Sequence, residues 1–498
     1  MIEPLRKTVH IMAIFTTLLL VGISYPKAYA DNRMETRYLA FQVFTGAPNP
    51  AVAIGGSGMH PLGPMPSQQE LSAFVQDIVR RIGRVGDSKT RLAVIFGPLS
   101  FDHSDAEVNR LIDDAFTIAR QQNVAVGFHI DDSMFWARRE DLWHNPDNVE
   151  WLDWKGTLST GRRIDWGPKP EKIPPQMCFN SRAIQAETRR RATQVIGRAI
   201  QAGRNQLRRA GMEDLFAGVI VGWETQIGQD FDTGRYLGYH ALANRGFSES
   251  HPPPDMDGER EKIVQEFITL WSRGIADAGI PANKIYAHTA FLSLYIFDKL
   301  PPQSVSYSQH NHFAPPPVAF GKSHRPGFST YPQPNLFPQI YEELARHGNT
   351  GWASSEGTNL QLGSGPGQSG MNMETYLAKM FNHGAMLVNI FSWGIGGEAN
   401  KSMDFRVVTE GEEALNAYRK FLRGERLVET NSVTTSYLER LPAKIHKIQQ
   451  ELPAWVQHPG NQAKAEPLMQ RLDAALKAND FLEAEKVADT LLELIASK

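Results

Sequence analysis

Eight short apolar runs rich in β-branched residues recur along this chain, and most are followed by apolar residues at helical spacing. The runs are 38–45, 92–96, 125–130, 216–222, 284–289, 305–309, 351–355 and 386–391. Helical spacing follows at 67–82, 104–118, 182–210, 259–278, 337–347, 374–383 and 412–422. Two of these helices open on a Ser-x-x-Glu capping box, at Ser67/Glu70 and Ser104/Glu107. A strand that is always followed by a helix must pair in parallel with its neighbours, and eight such units close into a (β/α)8 barrel, the TIM-barrel class of α/β fold. A doubly wound open sheet is the competing arrangement, but no glycine-rich phosphate fingerprint follows any early strand. Residues 31–425 are assigned to the barrel. Beyond them, helical spacing at 464–478 and 481–496 around Asn479-Asp480 predicts a hairpin within a C-terminal extension, 426–498.

The N-terminus reads differently. Arg6 and Lys7 precede the apolar run 11–24, and Ala28-Tyr29-Ala30 supplies a small–x–small cleavage pattern before Asp31. That is the layout of a signal peptide over residues 1–30 and predicts export, to a periplasm or the medium. No other stretch reaches 18 consecutive apolar residues, so no membrane association is expected after cleavage. With 52 basic and 54 acidic residues the net charge is −2, and loss of Glu3, Arg6, Lys7 and Lys27 takes it to −4. Nothing there favours nucleic acid. The single cysteine, Cys178, excludes an intrachain disulfide and a cysteine-only metal cluster, and is expected to be structural.

Barrel chemistry sits at the C-terminal ends of the strands. Strand four ends Val221-Gly222-Trp223-Glu224, and strand seven ends Ser354-Ser355-Glu356-Gly357. Each places a glutamate just past a buried run, on opposite sides of the barrel mouth. Two facing carboxylates divide labour when one holds a proton and the other stays ionised. Strand eight ends Phe391-Ser392-Trp393-Gly394. His129, Asp131 and Asp132 close strand three, His288 closes strand five, and His310, Asn311 and His312 follow strand six. Trp136, Trp143, Trp151, Trp154 and Trp166 crowd the long insertion after strand three, half of the chain's ten tryptophans. Indole faces stack on sugar rings, but an insertion this long also needs a core of its own. Three or more of the five are therefore expected to be structural and one or two to touch a ligand.

Glutamates ending strands four and seven, with a tryptophan ending strand eight, resemble the 4/7 superfamily of barrel glycoside hydrolases, clan A. The resemblance spans about 37–425 and rests on short motifs. It implies a carbohydrate substrate, no cofactor and no metal. Glu224 would be the acid/base, Glu356 the nucleophile, and Trp393 the floor under the reacting sugar. His129, Asp131, Trp136, Trp223, His288, His310 and His312 would line the substrate site. One position departs from the clan, which usually carries asparagine before the strand-four glutamate where this chain has Trp223. The resemblance implies retention of configuration, with carboxyl groups about 5–5.5 Å apart; β-amylase-like barrels use the same strands and invert, across roughly 6.5–9.5 Å. Two other classes stay open: a metal-dependent barrel isomerase or hydrolase holding its ion on the strand-end histidines and carboxylates, and a non-catalytic carbohydrate-binding barrel.

Overall fold

The structure is a computed structural model and describes residues 35–46, 61–164, 171–290, 316–330, 336–357, 371–393, 412–429, 437–477 and 481–496. Eight parallel strands form a nearly closed barrel: β1 Arg37–Phe44, β2 Thr90–Leu99, β3 Ala125–Ile130, β4 Phe216–Val221, β5 Ile285–Ala287, β6 Gly327–Thr330, β7 Trp352–Gly357 and β8 Ala385–Trp393. They run β5-β4-β3-β2-β1-β8-β7-β6 around the sheet. The seam between β5 and β6 is joined by backbone bonds, Ala287 N to Arg325 O at 3.0 Å, Thr289 N to Gly327 O at 3.1 Å and Ser329 N to Thr289 O at 2.9 Å. This is the (β/α)8 class that the alternation predicts.

Between the strands lie α1 Gln68–Ile82, α2 Asp105–Gln122, a long helix α3 over 182–209, α4 Met256–Asp277, α5 Leu336–Arg346, α6 Met373–Phe381 and α7 Glu412–Leu422. Both capping boxes are made: Ser67 and Ser104 each accept from the N3 backbone, and Glu70 and Glu107 each reach back to the cap N–H at 2.8 Å. Helix α3 carries a π-turn at Arg191–Gly197. The outer core lies between strands and helices. The barrel interior is a second apolar cluster, with Tyr38, Ala40, Ile95, Ile220, Tyr286 and Leu387 among its members.

Two expectations change. The stretch 305–309, read as the sixth strand, lies outside the described residues, and the sixth place is held by β6, sequence Gly-Phe-Ser-Thr. With one aromatic and no β-branched residue before Thr330, β6 has no apolar run to read. Among the described residues the C-terminal extension holds the two expected helices, α9 Asn461–Lys477 and α10 Phe481–Ala496, and a further one before them, α8 Tyr437–Trp455. Leu441, Ile445, Leu472, Leu476, Val487 and Leu491 make them a core of their own, and Lys444 ties α8 to Glu485 and Asp489 of α10, at 2.6 Å each. Pro442 and Pro453 interrupt the sequence pattern of α8. The segment 1–30 and the Asn479-Asp480 turn lie outside the described residues. No described helix is long and apolar enough to cross a membrane.

The insertion after β3 is fastened to the loop after β4. Glu150 is fully buried, and its Oε2 accepts from the N–H groups of His240 and Ala241, at 3.1 and 3.4 Å. Trp151 stacks on the His240 ring at 4.1 Å. Burial pushes the Glu150 carboxyl up to about 7, so the folded chain holds a proton there that the unfolded chain has released above its ordinary 4.5. Stability conferred at this site is therefore highest in acid and falls as pH rises from about 4.5 through about 7. Glu150→Gln keeps an acceptor and removes the titration. Relative to the variant, wild type should lose about 3 kcal/mol between pH 4.5 and pH 8 in denaturant unfolding; parallel curves would show that Glu150 titrates normally.

Candidate active site

Side chains alternate along a strand, so the inward face of each barrel strand can be followed upward from the apolar cluster. From Tyr38 and Ala40 the next inward position of β1 is Gln42; His129 holds the corresponding place on β3, His288 past β5, and Asn389 on β8. All four are fully buried. A polar group in that position calls for partners within the protein; these four bond one another, although Gln42 Nε2 and Asn389 Oδ1 are buried without a partner. Gln42 Oε1 accepts from Asn389 Nδ2 at 2.7 Å and lies 2.8 Å from His129 Nδ1. His129 Nε2 lies 3.0 Å from His288 Nδ1 and 2.8 Å from the Gly222 carbonyl. Asn389 Nδ2 also donates to Ser355 O at 2.8 Å. A polar layer thus caps the apolar interior at the C-terminal end of the barrel strands.

Glu224 hangs from this layer. His288 Nδ1 faces the Glu224 backbone N–H at 3.4 Å and so accepts; its proton is then on Nε2, which donates to Ser329 Oγ at 2.9 Å. Ser329 Oγ in turn donates to Glu224 Oε1 at 2.9 Å. Burial holds His288 down to about 3, and burial plus the adjacent His288 holds His129 well below its ordinary value, so both rings are neutral. The turn carrying Glu224 is strained. Three described non-glycine residues have positive φ, and two are asparagines, which tolerate it; the third is Glu224 at 55°. Strain of this kind concentrates where a side chain must be aimed.

Glu356 reaches the same face by a different device. Ala353 of β7 points into the barrel, so strict alternation would turn Glu356, three residues on, outward. However, Phe328 pairs with Ser354 while Ser329 pairs with Glu356, and on the other side Val388 pairs with Ser354 while Ile390 pairs with Gly357. One extra residue is therefore inserted in β7. Beyond it Gly357 faces outward, where an added Cβ would lie 2.6 Å from the Tyr376 hydroxyl of α6. Glu356 consequently shares the inward face of its register partner Ser329. Re-aiming a side chain is what a β-bulge does. Glu224 and Glu356 are 5% and 9% exposed.

An apolar shell surrounds the turn. Trp223 stacks on His129 at 4.3 Å and 25°, with Phe44 and Phe391 edge-on at 5.8 and 6.1 Å. Leu62, Met134, Phe135 and Ile173 complete the cluster. Asp132 braces it: its Oδ2 accepts from Thr225 Oγ1 at 2.6 Å, and its Oδ1 from Ser133 Oγ and Trp223 N.

Several residues expected at the ligand do other work. Asp131 is fully buried and its oxygens accept from the N–H groups of Ser133, Met134 and Phe135, which closes the turn after β3. Burial and the neighbouring Asp132 push its carboxyl up to about 7. Trp136 is fully buried, donating to Pro175 O at 3.1 Å. Trp143 donates to Ala137 O, and Trp154 lies edge-on to Tyr239 at 5.2 Å; both are half-buried and pack against the core, as Trp151 does against His240. His129 and His288 meet protein atoms through their ring nitrogens. Trp393 ends β8, but its side chain, like His310, His312 and Trp166, lies outside the described residues. Cys178 is buried beside Asn180 and Asn244. Gln42, Ser329, Asn389 and Thr225 were not singled out from sequence. Gln42 and Asn389 carried a signal, a lone amide on the inward register of an apolar strand. Among the described residues no three His, Cys, Asp or Glu side chains converge as a metal ligand set.

No protein-family model matches the chain, and a search of curated protein sequences finds no relative. Solved structures that overlap it include a β-galactosidase from the psychrophilic Marinomonas ef1 (TM-score 0.43, 13% identity). That overlap covers 77% of this chain and 59% of the β-galactosidase, so this chain spans well under two thirds of its length. An α-amylase from Malbranchea cinnamomea overlaps at TM-score 0.31 and 8% identity, covering 86% and 80% of the two chains. Pyruvate kinase from Pyrobaculum aerophilum does so at 0.25 and 10%, covering 84% and 79%. Overlaps this loose span unrelated chemistries and assign none of them.

Proposed function

We propose that the protein is an exported glycoside hydrolase that cleaves an oligo- or polysaccharide with retention, using Glu224 as acid/base and Glu356 as nucleophile. The observation that carries this reading is Ser329, whose hydroxyl bonds Glu224 Oε1 while its backbone is in register with Glu356. Two carboxylates from opposite strands are thereby brought to one inward face beside one serine. Neither buried histidine competes for the role of acid, since both are held neutral far below physiological pH.

In the first step Glu356 attacks the anomeric carbon as the glycosidic C–O bond breaks, and Glu224 gives its proton to the departing oxygen. In the second, water attacks the glycosyl–Glu356 ester, Glu224 takes a proton from that water, and Glu356 leaves as carboxylate. Ser329 and His288 act as positioning residues for Glu224 through one donor chain. The Trp223 shell removes water from the turn beneath the reacting bond.

Hydrolysis across a panel of chromogenic glycosides and glycans should be found for wild type and fall at least about a hundredfold in Glu224→Gln and in Glu356→Gln. The anomer first released, followed by NMR, should have the configuration of the substrate; an inverted first product would make Glu356 a base activating water. Undiminished hydrolysis in either variant removes that glutamate from the reaction, and loss of activity to a chelator supports the metal-dependent class instead. Binding of glycans without hydrolysis leaves the non-catalytic barrel.

Ser329→Ala should lower kcat roughly tenfold and displace the Glu224 limb of the pH profile, with melting temperature little changed. Independently, the His129 and His288 imidazole resonances should not titrate between pH 5 and pH 8. A midpoint near 6.5 at either ring would mean that the polar layer admits water and that the donor order assigned above is wrong.

A further inference from the structure

Above the polar layer, the insertion after β3 forms a short antiparallel ribbon, Arg162–Ile164 against Glu171–Ile173. Ile173, the register partner of Arg162, packs into the apolar shell around Trp223. The Arg162 side chain is only 2% exposed, and its Nε and Nη1 are buried with no hydrogen-bond partner. Room for it is made by Gly228, where an added Cβ would lie 2.8 Å from Nε. The opposite charges that it feels are Asp132, Asp131 and Glu224, in that order. None of the three hydrogen-bonds it. Asp132 is engaged by Thr225, Ser133 and Trp223, Asp131 by three backbone N–H groups, and Glu224 accepts from Ser329. A desolvated guanidinium without a contact partner is unfavourable and is retained where something else supplies the partner.

We infer that Arg162 receives a carboxylate of the substrate, so that the cleft takes sugars bearing an acid group, as uronic acids do. A carboxylate offers two acceptor oxygens in the planar geometry that matches the guanidinium fork and so supplies the missing hydrogen-bond partners; a neutral hydroxyl offers one acceptor. Repulsion from the neighbouring aspartates is reduced, because burial raises the carboxyls of both Asp131 and Asp132 toward their neutral forms. The inference rests on the proposed glycoside-cleaving cleft for its location, but its readout is binding and needs no turnover.

The test is calorimetric binding of the full-length protein to oligouronates and, alongside, to neutral oligosaccharides of the same ring configuration, with sulfated neutral oligosaccharides as a third arm. Wild type should prefer the carboxylated member of each pair that binds by at least tenfold. Arg162→Met should lose that preference, and Arg162→Lys, which keeps the charge without the fork, should keep part of it. A misfolded variant would lose acidic and neutral ligands together, so the ratio separates recognition from structure. Equal preference for sulfated sugars would make Arg162 a general anion site and overturn the carboxylate assignment. No preference for acids in wild type, or a preference that survives Arg162→Met, overturns the inference. Uronate preference in a protein that hydrolyses nothing would leave it standing while removing the proposed reaction.

Discussion

Polar side chains inside a barrel find most of their partners in each other, and the bonds that they make here tie together the upper end of the barrel. Gln42, His129 and Asn389 come from three strands and His288 from the residue just past a fourth, scattered between residues 42 and 389, and each is wholly buried. In a medium of low dielectric their hydrogen bonds are strong, and an unmet one is correspondingly unfavourable. The layer therefore holds β1, β3, β5 and β8 in one mutual register at the end where the loops depart. Glu224 inherits its position from it through the His288–Ser329 donor chain. The neutrality of the two histidines follows from the same burial, which makes them hinges of geometry with no charge to lend.

The two glutamates arrive by opposite local departures from regular structure. Glu224 follows Gly222, at φ 99°, and takes a left-handed conformation itself, so the chain turns sharply as β4 ends. Glu356 stays in its strand, but an inserted residue reverses the parity of β7 between Ser354 and Gly357. Each departure is unfavourable by itself and is tolerated because neighbours over-determine it: the apolar shell around Trp223 in one case, the outward bonding of Thr330 with Ser354 and Tyr376 in the other. Both departures change the direction of a carboxylate relative to its strand.

What was legible in the sequence follows the same division. Regular structure was readable wherever periodicity and caps were intact, as in α1 and α2 with their Ser–Glu boxes. It was unreadable where the local pattern was missing, as in Gly-Phe-Ser-Thr of β6 or across the prolines of α8. The two glutamates were visible because they ended apolar runs. The inward aim of Glu356 was not, since a bulge leaves no mark on composition and the alternation from Ala353 argues the other way. Asp131, His129, Trp136 and His288 stood out as polar or aromatic residues at strand ends and in the insertion, yet sequence does not distinguish a group facing a ligand from one facing a backbone N–H. Arg162 was one basic residue among 52, and only its burial gives it meaning.

The insertion after β3 acts as a roof whose placement is fixed on two sides. Glu150 caps the short helix Tyr239–Ala243 in the loop after β4, and Asp230 of that loop accepts from Ser159 at 3.2 Å while its backbone forms an isolated antiparallel β-bridge with that of Arg162. Closer to the barrel, Asp132 holds Thr225 at 2.6 Å. The loops that follow β3 and β4 are thus joined at three heights, with Glu224 at the lowest and the Arg162 guanidinium above it. Loops joined in this way hold the groups they carry in fixed relative positions.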